Sequence, residues 1–220
     1  MEQILSFLYD LNRNNEREWF HANKVRYQES KDSFLALVEQ VINELVSTDL
    51  RIHELNPKDC VFRINRDVRF SRDKSPYKTY FGAYMANGGR KSSNAGYYLH
   101  IAWDEIFIGA GVYHPEKEEL NAIRQEIIYQ PEKFSSILNT IVKKGFSLME
   151  EDKLKKGPIG FDKNSPYIDL VKYKSYILSR KISKKEILAP GISITVANYF
   201  KEIFPLTEFL NTAMEFKGND

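Results

Sequence analysis

Positive charge is concentrated in one short polar segment, residues 62–78. Between Arg63 and Lys78 the chain has six basic and two acidic side chains, a local net charge of +4. Guanidinium groups bind planar oxyanions through paired hydrogen bonds, and a serine-rich loop adds backbone N–H donors, so this composition favours a phosphate or carboxylate site. The predicted ligand-binding residues are Arg63, Arg66, Asp67, Arg69, Arg72, Asp73, Lys74, Tyr77 and Lys78.

Residues 61–70 of this segment have the pattern of a β-strand, in which successive side chains point to opposite faces. One face is almost wholly polar, and the other carries Phe62, Ile64, Arg66, Val68 and Phe70. A guanidinium among apolar neighbours needs a buried carboxylate, a bound anion or a backbone bulge. The alternative interpretation is that the Arg and Asp side chains form cross-strand ion pairs and bind nothing.

His100 and His114 are the predicted catalytic residues, as general acid or base. A tight turn at residues 104–105 would place both imidazoles near one sheet face, with Asp67 or Asp73 as an orienting group or a third ligand. The sequence has no His-x-x-x-His motif and no cysteine pair. No metal site is therefore predicted, and the cofactor is left open.

Apolar spacing predicts the helices that must position these residues. A short N-terminal helix ends near residue 11, and a long helix is expected over residues 16–47, with Asn15 and Glu18 as a capping box. Further helices are expected after Pro115 and Pro131. A last helix follows a capping box formed by Ser183 and Glu186, and Pro205 is expected to kink it.

Alternating patterns predict strands at residues 61–70, 80–86, 97–103 and 106–113, with one further strand at 173–178. Runs of strands flanked by helices, without a βαβ alternation, indicate an antiparallel sheet. The predicted fold class is α+β, with a central antiparallel sheet, about residues 60–113 plus 173–178, covered by N- and C-terminal helices.

Composition bounds the class of protein. With 42% hydrophobic and 13% aromatic residues, the chain is too apolar for intrinsic disorder, and no linker or repeat divides it, so a single domain over residues 1–220 is predicted. Cys60 is the only cysteine, which favours a reducing compartment. No signal peptide is recognisable, and residues 106–113 form the longest apolar stretch, too short to span a bilayer. We expect a cytoplasmic protein without a membrane partner.

Charge is unevenly distributed along the chain. The overall net charge is only +2, which gives no general affinity for polyanions, whereas residues 143–185 carry twelve basic and five acidic side chains, a net of +7. Basic residues interleaved with aromatics are typical of surfaces that follow a nucleic-acid backbone. The interleaved aromatics are Phe146, Phe161, Tyr167, Tyr173 and Tyr176.

The chain resembles, along nearly its whole length, the uncharacterised family known as "domain of unknown function 2461". The resemblance depends on residues 14–20 with 23–24 and 27, on 57–58, on 62–64 with 66–71, on 73–79, and on 96–100 with 109–111 and 114–115. It implies a single cytoplasmic domain. The family brings no established substrate, cofactor or catalytic residue.

Three hypotheses from different classes therefore stand. The first is an anion- or phosphate-binding domain, with the option of an enzyme acting on a phosphorylated small molecule or nucleotide. The second is a nucleic-acid-binding protein, which this sequence favours less. The third is a protein-interaction module without catalytic activity, whose arginine-rich segment contacts an acidic partner. Whether the chain is an enzyme, and its oligomeric state, are left open.

Overall fold

The computed structural model describes residues 1–215, which form helices and short strands. The eight α-helices in this range are α1 (Glu2–Arg13), α2 (Arg17–Ala22), α3 (Lys24–Leu45), α4 (Pro57–Cys60), α5 (Lys117–Tyr129), α6 (Pro131–Lys143), α7 (Lys184–Ile187) and α8 (Ile192–Glu215). The five strands are β1 (Tyr80–Met85), β2 (Gly96–Ala102), β3 (Ile106–Val112), β4 (Ser147–Leu148) and β5 (Tyr176–Lys181). None of the helices in the described range is long and apolar enough to cross a membrane.

The strands form one antiparallel sheet in the order β1-β2-β3-β5-β4. β4 pairs with β5 with Ser147 opposite Ser179 and Leu148 opposite Leu178. The strands predicted at residues 80–86, 97–103 and 106–113 are present within one or two residues of their expected ends. Helices lie at both ends of the described chain, so the predicted α+β class is confirmed.

The prediction of a strand at residues 61–70 is wrong. Only two isolated antiparallel bridges occur there, between Val61 and Ala83 and between Asn65 and Tyr77. Phe70, expected on an apolar core face, is 96% exposed. Beyond Asn65 the polar side chains of this segment bond to neighbouring residues of the same segment, and such local bonds compete with a sheet ladder.

The single helix predicted over residues 16–47 is divided at Asn23. The Asn23 backbone lies outside the helical region, with φ −106° and ψ 20°, and its side-chain Nδ2 donates to the Trp19 carbonyl oxygen at 3.0 Å. Asparagine competes in this way with the backbone bonds of a helix interior. α2 therefore ends at Ala22, and α3 begins at Lys24.

Some of the other helix ends follow the sequence prediction, but the predicted last helix is divided into α7 and α8. Pro131 occupies the first turn of α6, and Ser183 and Glu186 form both bonds of a capping box at the start of α7. Pro205 lies inside α8, which runs as one helix from Ile192 to Glu215. The last predicted strand, at residues 173–178, begins three residues later, at Tyr176.

The backbone divides into two compact units, and the single domain stays a prediction. The first comprises Met1–Arg90, Tyr98–Ile108 and Lys181–Asn198, and the second comprises Lys91–Tyr97, Gly109–Arg180 and the residues from Tyr199. The core of the first unit stacks Phe7 and Phe34 on Phe81, with ring centroids 6.4 and 5.4 Å away. In the second, Phe134 packs against Phe209 at 5.1 Å. Burial of such rings is the main stabilising term in each unit.

Candidate functional site

Residues 66–76 form a surface loop, here named the arginine loop, whose two ends are tied together. Below it, Asn65 and Tyr77 form a β-bridge. The Arg66 backbone N–H donates to the Pro76 carbonyl oxygen at 2.9 Å, and the Lys78 N–H donates to the Ile64 carbonyl oxygen at 2.8 Å. The base of the arginine loop is therefore fixed to the first compact unit.

The Arg66 side chain, predicted as a ligand-binding residue, lies inside this loop and organises it. Its guanidinium donates to the Asp73 carboxylate, to the Ser75 carbonyl oxygen at 3.2 Å and to Ser71 Oγ at 3.3 Å. Asp73 in turn accepts from the Ser75 hydroxyl and backbone N–H at 2.6 and 2.9 Å. The bonds to Ser75, followed by the bond to Arg66, lower the pKa of Asp73 to about 2.

Arg69 and Asp67 form a second, exposed pair. Arg69 Nη2 and Nε donate to the two Asp67 oxygens at 2.7 and 3.0 Å, and this bonding lowers the pKa of Asp67. Lys74 Nζ donates to the Val68 carbonyl oxygen at 3.0 Å. Arg66 and Arg69 thus form ion pairs with aspartates, as the alternative interpretation expects. These pairs lie within one loop, whereas that interpretation placed them across two strands.

Four cations of the segment have no acidic partner. Within residues 1–215, no carboxylate lies within ion-pair distance of Arg63, Arg72, Lys74 or Lys78. Lys78 is half-buried, with Nζ 5.3 Å from the Phe62 ring centroid and 5.8 Å from that of Tyr80. Desolvation, and then the nearby Arg63 charge, lower the pKa of Lys78. Two like charges held together at a partly desolvated position attract an anion.

The base of the arginine loop is held by Asn15, which lies between α1 and α2, and by Phe20 of α2. Asn15 Nδ2 donates to the Tyr77 carbonyl oxygen at 2.9 Å, and the Tyr77 N–H donates to Asn15 Oδ1 at 3.1 Å. The Phe20 and Tyr77 rings stack with centroids 4.0 Å apart and an angle of 16°. Asn15 is thus not the predicted helix cap with Glu18, since α2 has no side-chain cap. Tyr77 acts as an anchor, and its ring is buried.

An aromatic layer lies beside Lys78 on one face of the sheet. The His100 ring is 4.4 Å from the Tyr80 ring and stacks on the Phe107 ring at 4.6 Å with an angle of 15°. The ring centroids of Tyr98 and Phe62 lie 6.3 Å apart. The Tyr80 ring therefore connects the Lys78 ammonium to the His100 imidazole. Sequence reasoning missed Tyr80, although its position two residues after Lys78 in an extended chain gave a signal.

His100 is kept neutral by this layer. Burial lowers the pKa of His100 to about 4, against a smaller opposing effect of the Asp104 charge. Its Nδ1 lies 3.1 Å from the Tyr98 hydroxyl, whose pKa burial raises. Gly82 makes room for that hydroxyl, because a Cβ on Gly82 would lie 2.8 Å from it. A neutral imidazole can accept a proton at neutral pH, but a pKa of about 4 makes His100 a weaker base than an ordinary histidine.

His114 has different surroundings, in the second unit. Its Nε2 lies 3.2 Å from Asp152 Oδ2, and its backbone N–H donates to Ser175 Oγ at 2.9 Å. Asp152 thus takes the orienting position that was predicted for Asp67 or Asp73, which are engaged within the arginine loop. His114 and Asp152 have φ values of 45° and 63°, a left-handed conformation that is uncommon for such residues. His100 and His114 therefore have separate sets of partners.

The basic stretch of residues 143–185 does not present its aromatics as predicted. Phe146, Tyr173 and Tyr176 are buried within the second unit, so their faces are not free to stack on bases. Lys153 lies over the Tyr173 ring at 4.5 Å, and Lys172 pairs with Asp169 at 2.5 Å. In the described part of the chain, no three His, Cys, Asp or Glu side chains converge as a metal-binding group.

These features define an α+β protein with an antiparallel sheet and a structured, arginine-rich loop beside an aromatic sheet face. The family model "Conserved hypothetical protein (DUF2461)" matches residues 3–209, so the chain belongs to that family. The predicted whole-chain resemblance is thereby confirmed. No curated protein and no solved structure matches the chain.

Proposed function

We propose that this chain binds a small phosphate-bearing ligand at Arg63 and Lys78. The observation that carries the proposal is the position of the Lys78 ammonium, half-buried against two aromatic rings, with the Arg63 charge close enough to lower its pKa. Such a pair is electrostatically unfavourable in the free protein. A bound dianion would relieve it, which is the usual physical basis of an anion site.

The arginine loop would contribute unevenly to binding. Arg66 and Arg69 have carboxylate partners, so they would shape the loop and leave the ligand to other cations. Arg72 and Lys74 are exposed and carry the charge that remains in the loop. Of the nine predicted ligand-binding residues, we therefore assign direct contacts to Arg63, Arg72, Lys74 and Lys78. Tyr77, Asp67 and Asp73 would act by positioning.

His100 is the group we assign to proton transfer, if the ligand is also a substrate. It is uncharged at neutral pH, and the Tyr80 ring joins it to Lys78. The Tyr98 hydroxyl would orient the imidazole through Nδ1, leaving Nε2 for the ligand. This arrangement suits an enzyme acting on a phosphorylated small molecule or nucleotide.

A reducing, cytoplasmic location is part of the proposal. The free Cys60 is buried, and burial raises the pKa of its thiol to about 12. A thiol with so little thiolate is unreactive, so this cysteine has a packing role. Its single occurrence gives no intramolecular disulfide to support folding outside a reducing compartment.

Isothermal titration calorimetry with inorganic phosphate, pyrophosphate and ATP tests the proposal. Arg63→Ala and Lys78→Met should abolish binding, because Met keeps the apolar stem on the aromatic rings and removes the charge. Arg17→Ala and Lys24→Met remove exposed cations from the helices of the same unit and should bind as wild type does. Absence of heat with every ligand, or equal binding by all four variants, would favour the protein-interaction module.

A further inference from the structure

The tip of the arginine loop presents one aromatic ring to solvent. Phe70 is 96% exposed, and the loop's own bonds hold it there. On one side Arg69 is bonded to Asp67, and on the other Ser71 Oγ accepts from Arg66 while the Ser71 N–H donates to the Val68 carbonyl oxygen at 3.4 Å. The exposed position of the ring is therefore a property of an ordered loop.

One cation contacts this ring, and two more follow it in the loop. The Arg69 guanidinium carbon lies 5.9 Å from the Phe70 ring centroid, and Arg72 and Lys74 follow in the same loop with exposed side chains. Both acidic residues of the loop, Asp67 and Asp73, are neutralised by arginines. A partner that fits this tip must offer a flat apolar face flanked by negative charges.

The cations without an acidic partner lie at two places. Arg63 and Lys78 lie at the base of the arginine loop, whereas Arg72 and Lys74 lie within it, beyond the bridge between Asn65 and Tyr77. A polyanion with regularly spaced charges suits cations that are distributed in this way. Base stacking on one aromatic ring with phosphates on neighbouring cations is the usual mode of single-strand recognition.

We propose that the arginine loop binds single-stranded nucleic acid, with one base stacked on Phe70 and neighbouring phosphates on Arg72, Lys74 and the Arg63 and Lys78 pair. The inference rests on the proposed function, since the phosphate at Arg63 and Lys78 is then one phosphate of the strand. A duplex fits less well, because its bases offer no free face at the loop tip. An anionic membrane also fits less well, because Phe70 is the only large apolar side chain of this loop that is exposed.

Fluorescence polarisation with a labelled oligothymidylate measures this binding. Phe70→Ala should weaken binding about tenfold, whereas Phe70→Tyr, which keeps a stacking face, should stay within about twofold of wild type. The matched control is Ile159→Ala, which removes another fully exposed apolar side chain, at 101% exposure, and should bind as wild type does. Arg72→Ala should reduce the salt dependence of binding by about one phosphate contact.

A stacking signature separates base contact from simple charge attraction. In Phe70→Trp, the added tryptophan emission, taken as the difference from wild type with its two native tryptophans, should be quenched by oligothymidylate. An abasic oligonucleotide of the same length should bind more weakly and leave that emission unchanged.

Two results would overturn the inference: equal oligonucleotide affinity for wild type and Phe70→Ala, or binding of phosphatidylserine vesicles with no binding of oligonucleotide. Pyrophosphate titrations of the same variants distinguish this failure from failure of the proposed function. If pyrophosphate binds in a way that depends on Arg63 and Lys78 but no oligonucleotide binds, the nucleic-acid proposal is wrong and the phosphate site stands. If neither pyrophosphate nor oligonucleotide binds, both proposals are wrong.

Discussion

The Asn15 side chain pairs with the Tyr77 backbone across 62 residues of sequence, accepting from its N–H at 3.1 Å and donating to its carbonyl oxygen at 2.9 Å. The amide thus imitates a neighbouring strand at the base of the arginine loop. Stacking of Phe20 on Tyr77 adds an apolar contact at the same point. The N-terminal region therefore fixes the base of the arginine loop. This explains why a segment with so little secondary structure keeps a definite shape.

Asn15→Ala should destabilise the protein by about 1–3 kcal/mol, because two half-buried backbone groups lose their partner. Asn14→Ala is the matched control, since the adjacent Asn14 amide is exposed and bonds only to the Asp10 carbonyl oxygen of α1. Its cost should stay below about 1 kcal/mol. Urea denaturation of both variants measures the difference. Equal costs would show that the Asn15 pairing has no special role.

Arg66→Ala should loosen the arginine loop, because one guanidinium supplies three of its internal bonds. We expect a loss of about 1–3 kcal/mol and faster cleavage of the loop by trypsin. Arg69→Ala also removes one arginine from the loop, but its exposed pair with Asp67 should contribute little to stability. Identical proteolysis rates in the two variants would contradict the organising role of Arg66.

Gly111→Ala should cost about 3 kcal/mol or more. Gly111 has a φ of 132°, and a Cβ there would lie 1.8 Å from the Tyr176 carbonyl oxygen, so the β3 and β5 backbones would have to separate. Gly109→Ala, two residues earlier on the same strand, places its Cβ 3.4 Å from the Leu178 carbonyl oxygen. That variant should lose about 1 kcal/mol or less. Thermal unfolding gives both values, and similar melting temperatures would be inconsistent with this packing.

Stability should fall as the pH is lowered through the titration range of His100. Its folded pKa of about 4 lies below the ordinary 6.5, so between these values the unfolded chain binds a proton that the folded chain excludes. The contribution of neutral His100 is complete above pH 6.5 and is lost towards pH 4. His100→Phe, which keeps a ring on Phe107, should flatten this part of the stability profile. An NMR titration that gives His100 a pKa near 6.5 would contradict a buried, neutral imidazole.

The sequence predicted the regular elements better than the site. The apolar pattern located β1, β2 and β3, whose side chains are mostly buried, but it also predicted a strand at residues 61–70. There the alternation of Arg with apolar residues resembles a strand, while the side chains form bonds along one loop. The partner of Asn15 lies 62 residues away, and that of His114 lies at Asp152, so neither pairing has a local signal.

The pKa of the Lys78 ammonium, measured by NMR on side-chain-labelled protein with and without pyrophosphate, tests the phosphate site most directly. In the free protein we predict a pKa below the ordinary lysine value, because the ammonium is partly desolvated and close to the Arg63 charge. Pyrophosphate should raise it, because a neighbouring anion stabilises the charged form. Arg63→Ala should also raise the pKa of free Lys78, and it should weaken the response to pyrophosphate. A Lys78 pKa that pyrophosphate leaves unchanged would contradict the proposed site.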